Sequence, residues 1–277
     1  NATKTECRAC LAKADMELTG HVNEDLLIAY FCGDLGEERS KKIERHIANC
    51  QRCKREFEIN KMLFSGLIGM IKGAGGKPDA HALRQALREN LKENRIYYSI
   101  IQPPAFVPIL LATSYHGLVN VILGDLSHFE FEEKLKNHFP KLWITESFDE
   151  TEKIRWQFEA YFKRERSDFD CAIDDRLISS DFRKKVLFAL QDIPYGHFVT
   201  YGELARRIGK PKASRAVGGA LGANPLPIVL PCHRVVAGEG KLGGFTGGIS
   251  LKIKLLDLEG ANFSATARQM DLFNPFN

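Results

Sequence analysis

The sequence predicts a mixed α/β fold of the α+β type, built from a small helical N-terminal domain, a small α/β subdomain and a helical C-terminal domain. Three observations support this division. Five of the seven cysteines lie in the first 53 residues, short apolar runs typical of strands begin at Ala105, and helix start and stop signals dominate after Ser180. The expected parts are a Cys/His-rich helical domain at 1–60, a helical linker at 61–104, the α/β subdomain at 105–175 and the helical domain at 176–277.

The composition indicates an ordinary globular protein of the cytoplasm. Of the 277 residues, 44% are hydrophobic and 27% are charged, and the net charge is only +4. The apolar stretch nearest to a membrane span, Met62–Ile71, is too short for one, and the N-terminus carries no signal-peptide pattern. Seven cysteines without a regular framework argue against a secreted disulfide scaffold and favour a reducing compartment. We therefore expect no membrane association.

The middle of the chain carries the pattern of a small α/β subdomain. Apolar runs at Phe106–Ala112 and Leu118–Leu123 flank a Ser-Tyr-His-Gly turn and predict a β-hairpin. Amphipathic patterns predict helices at Phe129–Phe139 and Lys153–Lys163. A further apolar run predicts a strand at Phe169–Ile173.

A helix-turn-helix is predicted in the helical domain. A helix over Asp181–Gln191 comes first. Thr200 and Glu203 then match a capping box, in which the hydroxyl and the carboxylate satisfy free N–H groups at a helix start. Ser214 is expected to cap a second short helix that runs to Gly222. Two short helices joined by a tight turn are typical of DNA-binding motifs.

Two further features mark this domain. Eight lysines and arginines and only two acids lie from Arg183 to Arg215. Such a stretch can attract nucleic-acid phosphates, although on charge alone a solvated helix face is the simpler interpretation. A last amphipathic helix is predicted at Ser250–Glu259, with Gly260 as its left-handed stop.

The stretch Pro231-Cys232-His233-Arg234 carries the strongest chemical signal. A cysteine becomes a nucleophile when a base or a positive field lowers the pKa of its thiol. Adjacent side chains on an extended segment point in opposite directions, so His233 would reach Cys232 only through a water molecule or a turn. A buried core cysteine beside a surface histidine is the alternative that this pair alone leaves open.

Six sequence blocks around this pair match one family in order and spacing. They are Ile193-Pro194-Tyr195-Gly196, Val199-Thr200-Tyr201-Gly202, Ser214-Arg215-Ala216-Val217-Gly218, Gly222-Ala223-Asn224-Pro225, Pro231-Cys232-His233-Arg234-Val235 and Leu258-Glu259-Gly260. The stretch from about Phe182 to Gly260 resembles the C-terminal domain of O6-alkylguanine-DNA alkyltransferases, and Ala105–Asp174 resembles their more variable N-terminal subdomain. The resemblance implies repair of double-stranded DNA by moving an alkyl group from guanine O6 to a cysteine.

The resemblance implies catalytic roles for five residues. Cys232 matches the alkyl-accepting thiol, His233 the base that removes its proton through a water, and Glu259 the acid that orients this histidine. Tyr201 matches the tyrosine that donates to N3 of the flipped guanine, and Asn224 the residue that holds the turn beside the cysteine. Because the product is a thioether with no easy leaving path, each molecule is expected to act once, and the transfer is expected to need no cofactor.

The resemblance also implies how the protein, as a monomer, holds DNA. The arginine at the start of the second helix would enter the space left by the extruded base and so offset the cost of unstacking. This helix lies in the minor groove in the family, and its small residues fit a narrow groove, although tight helix packing also explains them. The expected DNA-binding residues are Arg215, Ser214, Ala216, Gly219 and Tyr201. The expected base-pocket residues are Val235, Phe245 and Thr246.

Two positions depart from the family pattern. Phe245 stands where many members have tyrosine, so it can stack on a base but cannot donate a hydrogen bond, which leaves the substrate range open. Ser179–Phe182 replaces the commoner Gly-Thr-x-Phe, and this change is expected to alter only a helix cap.

A metal site is expected near the N-terminus. His46, Cys50 and Cys53 follow one another at spacings of four and three, which predicts one face of a helix. Three such ligands need a fourth for a tetrahedral Zn²⁺ site. His21–Phe57 resembles the zinc-binding domain of anti-sigma factors, and this resemblance implies His21 as the fourth ligand. A helical hairpin with incidental cysteines and histidines is the alternative.

The remaining cysteines carry weaker signals. Cys32 is expected in the core, or as a substitute for His21. Cys7 and Cys10 have the spacing of a metal-binding or redox pair, but no second pair accompanies them. They could belong to a truncated site or form a flexible thiol pair, and the sequence favours neither interpretation. Cys171 lies on a predicted strand and is expected in the core.

Two other functions compete with alkyl transfer. Relatives that bind lesions without repairing them lack the acceptor cysteine, whereas Cys232 and Glu259 are both present here. An anti-sigma-like N-terminal domain would instead indicate a regulator, with a sigma factor or another protein as its partner and the transferase as its damage sensor. This second hypothesis rests only on the zinc-type motif and is compatible with alkyl transfer.

Overall fold

The computed structural model describes Val22 and residues 24–73, 80–238 and 241–261. Two compact units meet in the chain between Glu93 and Asn94. Among the described helices, none is long and apolar enough to cross a membrane.

The N-terminal unit is helical where the structure describes it. Its helices are α1 (Glu24–Phe31), α2 (Glu37–Asn49), α3 (Gln51–Gly73) and α4 (Ala80–Glu93). Ile43 and Ile47 lie four residues apart on α2 and are buried. They pack with Val22, Leu27 and Cys53 in a small apolar core. This core joins the first three helices.

The three candidate metal ligands do not lie on one continuous helix, and this prediction was wrong. α2 ends at Asn49, Cys50 has an extended conformation (φ −118°, ψ 109°), and α3 begins at Gln51. His46 therefore lies on α2, whereas Cys53 lies on α3. Spacing alone cannot detect such a corner, because helical spacing is kept on both sides of it.

The expected helical linker at 61–104 is wrong in its C-terminal part, where Arg95–Ile101 forms strand β1. This segment is rich in aromatic and β-branched residues, and all of its residues except Ile100 are buried. Burial on both faces removes the alternation of polar and apolar residues by which a strand is usually detected.

β1 lies inside a four-stranded sheet with the order β3-β2-β1-β4. The other strands are β2 (Ile109–Ser114), β3 (Gly117–Leu123) and β4 (Trp143–Glu146). β2 pairs antiparallel with β1 and β3, whereas β4 pairs parallel with β1. The hairpin of β2 and β3 confirms the prediction from the two apolar runs. The short strand β4 was not predicted.

The predicted strand at Phe169–Ile173 is wrong, because only an isolated bridge to Leu118 forms there. The backbones approach closely at this point, and a Cβ atom on Gly117 (φ +130°) would lie 2.2 Å from the Ala172 carbonyl oxygen. Phe169 and Ile173 are partly buried against the main core, so the apolar character of the segment reflects packing rather than strand pairing. Cys171 is partly buried and packs against the main core.

Two helices cover the sheet and confirm the predicted helices: α5 (His128–His138) and α6 (Glu152–Phe162). One face of the sheet packs under α5, in a core formed by Ile96, Tyr98, Leu110, Phe131 and Leu135. The other face contributes to the main core, which includes Leu111, Phe158, Leu187, Leu204 and Val235. The α/β subdomain and the helical domain therefore share one core, and α6 lies within it.

The helical domain contains α7 (Asp181–Phe188), α8 (Tyr201–Arg207), α9 (Ser214–Gly222) and α10 (Ile249–Leu258). The capping box at the start of α8 is confirmed, because the Thr200 hydroxyl accepts from the Glu203 N–H and the Glu203 carboxylate accepts from the Thr200 N–H. α7 is shorter than predicted, since the chain continues to Asp192 as a 3₁₀ turn. The predicted cap at Ser214 is wrong: Ala213 precedes α9 without a side-chain cap, and Ser214 is its first residue.

α8 and α9 form the predicted helix-turn-helix. A parallel pair of short strands, β5 (Val199–Thr200) and β6 (Val235–Val236), joins the start of α8 to the segment that follows Cys232. Gly260 has φ +78° and ends α10 as predicted. This arrangement brings the helix-turn-helix, the cysteine segment and the C-terminal end of α10 together.

Candidate active site

Cys232 begins a 3₁₀ turn, Cys232–Arg234, and its side chain is only 4% exposed. Asn224 Nδ2 lies 3.1 Å from Cys232 Sγ and donates to the Leu230 carbonyl over 2.8 Å. The Asn224 side-chain oxygen accepts from a backbone N–H of the same loop at 3.0 Å. Asn224 therefore fastens the loop after α9 around the cysteine.

The turn also explains how two adjacent side chains contribute to one site. Consecutive residues of a 3₁₀ turn are rotated by about 120°, not by the half-turn of a strand. The segment is therefore a turn, which is one of the two arrangements that the sequence left open. His233 is fully buried, and its Nε2 lies 2.8 Å from Glu259 Oε1. His233 Nδ1 is buried as well and has no hydrogen-bond partner among the described residues.

The Glu259 carboxylate is the centre of a buried hydrogen-bond network. Its Oε1 lies 2.7 Å from the Tyr161 hydroxyl, 2.8 Å from His233 Nε2 and 2.9 Å from Arg234 Nη2. Its Oε2 accepts from Arg234 Nε at 2.8 Å and from the Gly196 N–H at 3.3 Å. Burial alone would raise the pKa of Glu259, but His233 and Arg234 outweigh it and lower the pKa to about 2. The carboxylate is therefore ionised at neutral pH.

The ionised carboxylate fixes the tautomer of His233. A carboxylate only accepts hydrogen bonds, so His233 Nε2 must carry the hydrogen that points to Glu259. In the neutral ring, Nδ1 then holds the free lone pair. Burial lowers the pKa of His233, while Glu259 acts in the opposite direction. The imidazole is thus a neutral base whose accepting atom is Nδ1.

Burial raises the pKa of the Cys232 thiol to about 11, although Asn224 and Lys252 act to lower it. At neutral pH the resting cysteine is therefore a thiol. A reaction that needs the thiolate must remove this proton, and a neutral imidazole in the same turn is suited to that step.

Lys252 is a buried cation that the sequence analysis missed. It is fully buried on α10, and its Nζ donates to the carbonyls of Val235 and Leu242, both at 2.6 Å, and of Gly244 at 3.3 Å. Burial lowers the pKa of Lys252 to about 8. One ammonium group thus ties the segment after Cys232 to the loop 241–248.

Tyr201 and this loop lie beside the cysteine. The Tyr201 hydroxyl donates to the Gly244 carbonyl at 3.4 Å, and a Cβ atom on Gly243 (φ +69°) would lie 2.7 Å from the tyrosine ring. Burial raises the pKa of Tyr201, and the nearby Cys232 adds to this effect. The Phe245 ring lies 6.4 Å from the His233 ring. Tyr201 therefore lies near the thiol, and Phe245 lies near the histidine.

Comparison with known proteins agrees with this geometry. A family profile described as the DNA-binding domain of 6-O-methylguanine DNA methyltransferase matches residues 181–261. The methylated-DNA–protein-cysteine methyltransferase of Methanosarcina acetivorans is 43% identical over 170 residues, which is 60% of this chain and 99% of that protein. The chain belongs to the methylated-DNA–protein-cysteine methyltransferase family.

Further relatives support the same assignment. The Haemophilus influenzae protein of the same name is 41% identical over 142 residues, covering 50% of this chain and 79% of that protein. The crystal structure of Mycobacterium tuberculosis O6-methylguanine methyltransferase superimposes with a TM-score of 0.51 at 38% identity, and covers 59% of this chain and 92% of that one. The superimposed part of this methyltransferase therefore shares its fold with a solved relative.

Helix α9 of this methyltransferase presents the face expected to bind DNA. Arg215, Ala216 and Gly219 are exposed, and Ser214 is half-buried at the helix start. Arg215 forms no ion pair with an acid in the part of the chain that the structure describes. The small residues of α9 therefore fall into two groups. Ala220 packs into the core, whereas Ala216 and Gly219 lie on an open surface.

The three expected base-pocket residues differ in how deeply they are buried. Val235 is buried and its carbonyl accepts from Lys252, which leaves one of the two carbonyl lone pairs for another donor. Phe245 is partly buried, whereas Thr246 is exposed and its hydroxyl lies 3.4 Å from the Gly222 carbonyl. The loop that contains both residues therefore reaches the end of helix α9.

A second cluster of ligand-type side chains lies in the N-terminal unit. The ligand atoms of His46, Cys50 and Cys53 lie within 4.8 Å of one another. His46 Nε2 is 3.2 Å from Cys53 Sγ, and the Val22 N–H donates to the same sulfur at 3.3 Å. Cys32, half-buried just after α1, is not part of this group. His21, Cys7 and Cys10 lie outside the described residues.

Arg234 and Tyr161 also lie in the site, although the sequence analysis gave neither a role. Arg234 belongs to a matched sequence block, and its charge next to a buried histidine could have indicated a buried acid partner. Tyr161 carried no such signal, because it looks like an ordinary apolar residue of an amphipathic helix.

Proposed function

We propose that this protein repairs alkylated DNA directly, by transferring the alkyl group of an O6-alkylguanine to Cys232 Sγ. The observation that carries the proposal is that a buried thiol and a buried neutral histidine share one turn, and that the histidine is paired with an ionised glutamate, within a member of this family. Nucleophile, base and orienting acid are all side chains of this chain, so the proposed transfer needs no cofactor.

The first step is removal of the thiol proton. With a thiol pKa of about 11, forming a free thiolate at pH 7 would cost about 5 kcal/mol. His233 Nδ1 is the base that accepts the proton, through a bridging water molecule. Glu259 stabilises the imidazolium that results, because its Oε1 accepts from the opposite ring nitrogen.

The second step is an in-line displacement at the alkyl carbon. A carbon–sulfur bond forms while the bond between this carbon and guanine O6 breaks, and the bonding electrons leave with the base. Tyr201 donates a hydrogen bond to ring N3 and so stabilises the departing guanine, which finally takes up the proton that the thiol lost. The thioether has no easy leaving path, so each chain acts once.

Double-stranded DNA is the proposed macromolecular substrate of a protein monomer. Helix α9 would enter the minor groove with its exposed small residues, and Arg215 would fill the space of the flipped base. The base would then lie between Tyr201 and the loop of Phe245 and Thr246, near the Val235 carbonyl. Phe245 can contribute only stacking and apolar contact, since it lacks a hydroxyl.

A stoichiometric repair assay tests this proposal. A duplex with one O6-methylguanine is incubated with increasing amounts of protein, and the remaining modified base is measured by chromatography. We expect one lesion to be lost per active chain, with no further turnover, and no loss with the Cys232→Ala variant. A protein that binds the duplex but leaves the lesion intact would contradict transfer and support the alternative of a lesion-binding protein.

We further propose that the N-terminal unit binds one Zn²⁺ through His46, Cys50 and Cys53. Thiolate and imidazole ligands suit zinc, and the Val22 N–H that donates to Cys53 Sγ is the kind of hydrogen bond that stabilises a coordinated thiolate. His21, next to Val22 in sequence, is the proposed fourth ligand. Zinc would stabilise the fold of this unit and take no part in alkyl transfer.

Metal analysis of the full chain tests the zinc site. Protein produced with zinc should contain about one Zn²⁺ per chain, as expected for a closed four-ligand site. The Cys53→Ser variant should lose most of this zinc, whereas the matched Cys32→Ser variant should keep it, because Cys32 lies outside the cluster. Zinc retained in Cys53→Ser, or absent from the wild-type protein, would contradict the proposal.

The resemblance to anti-sigma factors makes a sigma factor the proposed protein partner of the N-terminal unit. The wild-type chain should then capture a sigma factor in a pull-down, and the Cys53→Ser variant should not. Failure of the wild-type chain to retain any specific partner would count against this regulatory role and leave the repair function unaffected.

A further inference from the structure

Tyr161 connects the α/β subdomain to the proposed catalytic centre. It lies on α6, is fully buried, and its hydroxyl donates to Glu259 Oε1 at 2.7 Å. The two residues are 98 positions apart in the chain. Its ring packs against the Phe169 ring in a tilted arrangement and against the Tyr195 ring in a T-shaped one, so the packing of the core fixes the position of the hydroxyl.

Three donors share the oxygen that faces His233. Glu259 Oε1 accepts from Tyr161, from His233 Nε2 and from Arg234 Nη2, all within 2.7–2.9 Å. A carboxylate oxygen offers about two lone-pair directions, so the three donors compete for its electron density. Each hydrogen bond from Tyr161 or Arg234 therefore weakens the attraction between Glu259 and an imidazolium at His233.

We propose that Tyr161 is a positioning residue for alkyl transfer, which fixes Glu259 Oε1 and limits the negative charge that it presents to His233. By this means Tyr161 adds to the effect of burial, which lowers the pKa of His233, and helps to keep the ring a neutral base. The inference rests on the proposed transfer from O6-alkylguanine to Cys232. It assigns a role in the reaction to a subdomain that contributes none of the expected active-site residues.

Several other charged and titratable groups surround Glu259 and His233. Arg234 binds both oxygens of Glu259, and the charge of Lys252 acts to lower the pKa of His233. Cys232 is the neighbour of His233 in the same turn, and Tyr195 donates to the Leu258 carbonyl rather than to the carboxylate. Burial raises the pKa of Tyr161 well above 10, and Glu259 adds to this effect. Tyr161 therefore remains a donor throughout the pH range in which His233 titrates.

The test compares Tyr161→Phe with the matched variant Tyr195→Phe. Both substitutions keep the ring and remove one hydroxyl, but only the first removes a donor to Glu259. The single-turnover rate of methyl transfer from an O6-methylguanine duplex is measured from pH 5 to pH 9. The pKa of the His233 ring is followed separately by NMR, and circular dichroism verifies the fold.

In Tyr161→Phe, we expect the rate at neutral pH to fall about tenfold, because the loss of one hydrogen bond to a charged group leaves Glu259 Oε1, and with it the His233 ring, less firmly positioned. The pKa of His233 should rise because Glu259 faces it with more charge, and the acidic limb of the rate profile should move up by about half a pH unit. Tyr195→Phe should leave the profile unchanged.

Other results would overturn the inference. If Tyr161→Phe lowers the rate without moving the pH profile or the pKa of His233, the hydroxyl has only a structural role. If neither rate nor profile changes, it has no role in the reaction. A wild-type protein that transfers no methyl group at any pH would instead overturn the proposed function itself, and this inference with it.

Discussion

Replacing Glu259 with glutamine should lower the rate of methyl transfer about a thousandfold, which is the scale of a lost general-base contribution. The neutral amide cannot stabilise an imidazolium at His233, and its N–H₂ group can face Nε2 and favour the wrong ring tautomer. Arg234 would also lose both of its ionic contacts in the core. Single-turnover kinetics on an O6-methylguanine duplex measure the effect, with the exposed Glu165→Gln as control.

The same substitution should change how stability depends on pH. The pKa of Glu259 is lowered from 4.5 to about 2, so its stabilising effect is present above pH 4.5 and is lost as the pH falls through 2. The free energy of unfolding of the wild-type protein should therefore decrease by about 3 kcal/mol over this interval through this group. Denaturant titrations should show a smaller decrease in Glu259→Gln. Equal pH dependence in both proteins, or an unchanged transfer rate, would contradict the proposed role.

Replacing Arg215 with alanine should slow methyl transfer from a duplex by about a hundredfold, since flipping a base costs a few kcal/mol that this side chain offsets. Transfer from the free O6-methylguanine nucleoside should stay within about twofold of the wild-type rate, because no base is flipped and the Arg215 side chain is exposed, whereas Cys232 is buried. Parallel assays on the two substrates measure this difference.

The matched control for this experiment is Arg207→Ala, which removes an exposed cation from the neighbouring helix α8. It should weaken binding to the duplex in a salt-dependent way, but the rate at saturating protein should remain close to wild type. Equal loss of activity on the duplex and the nucleoside in Arg215→Ala would show that Arg215 supports the active site itself rather than base flipping.

The sequence correctly predicted those parts of the fold that depend on a few neighbouring residues, such as helix ends and a hairpin. The capping box at Thr200 and Glu203 and the left-handed stop at Gly260 occur where expected, and so does the β-hairpin. Strand β1 was missed because it is buried on both faces and lacks the alternation that marks a strand. The corner at Cys50 was missed because the spacing of His46, Cys50 and Cys53 is the same in one helix as in two.

The residues of the active site also differ in how well the sequence predicts them. Some lie in recognisable sequence blocks, whereas others are recognised only by their contacts in the folded protein. Cys232, His233 and Asn224 belong to recognisable blocks, and the structure brings them together with Glu259. Lys252 resembled any polar residue of an amphipathic helix, and only its three carbonyl contacts show that it is a buried cation. A single sequence contains no information that pairs Tyr161 with Glu259, because their contact depends on the packing of two subdomains.

Mass spectrometry of the protein after reaction measures the fate of the methyl group most directly. The purified chain is mixed with a duplex that contains one O6-methylguanine, and intact mass and peptide mass are then determined. We expect a gain of one methyl group per chain, located on the peptide that contains Cys232 and absent in Cys232→Ala. A folded protein that binds the duplex and gains no methyl group, or gains it on another residue, would contradict transfer to Cys232.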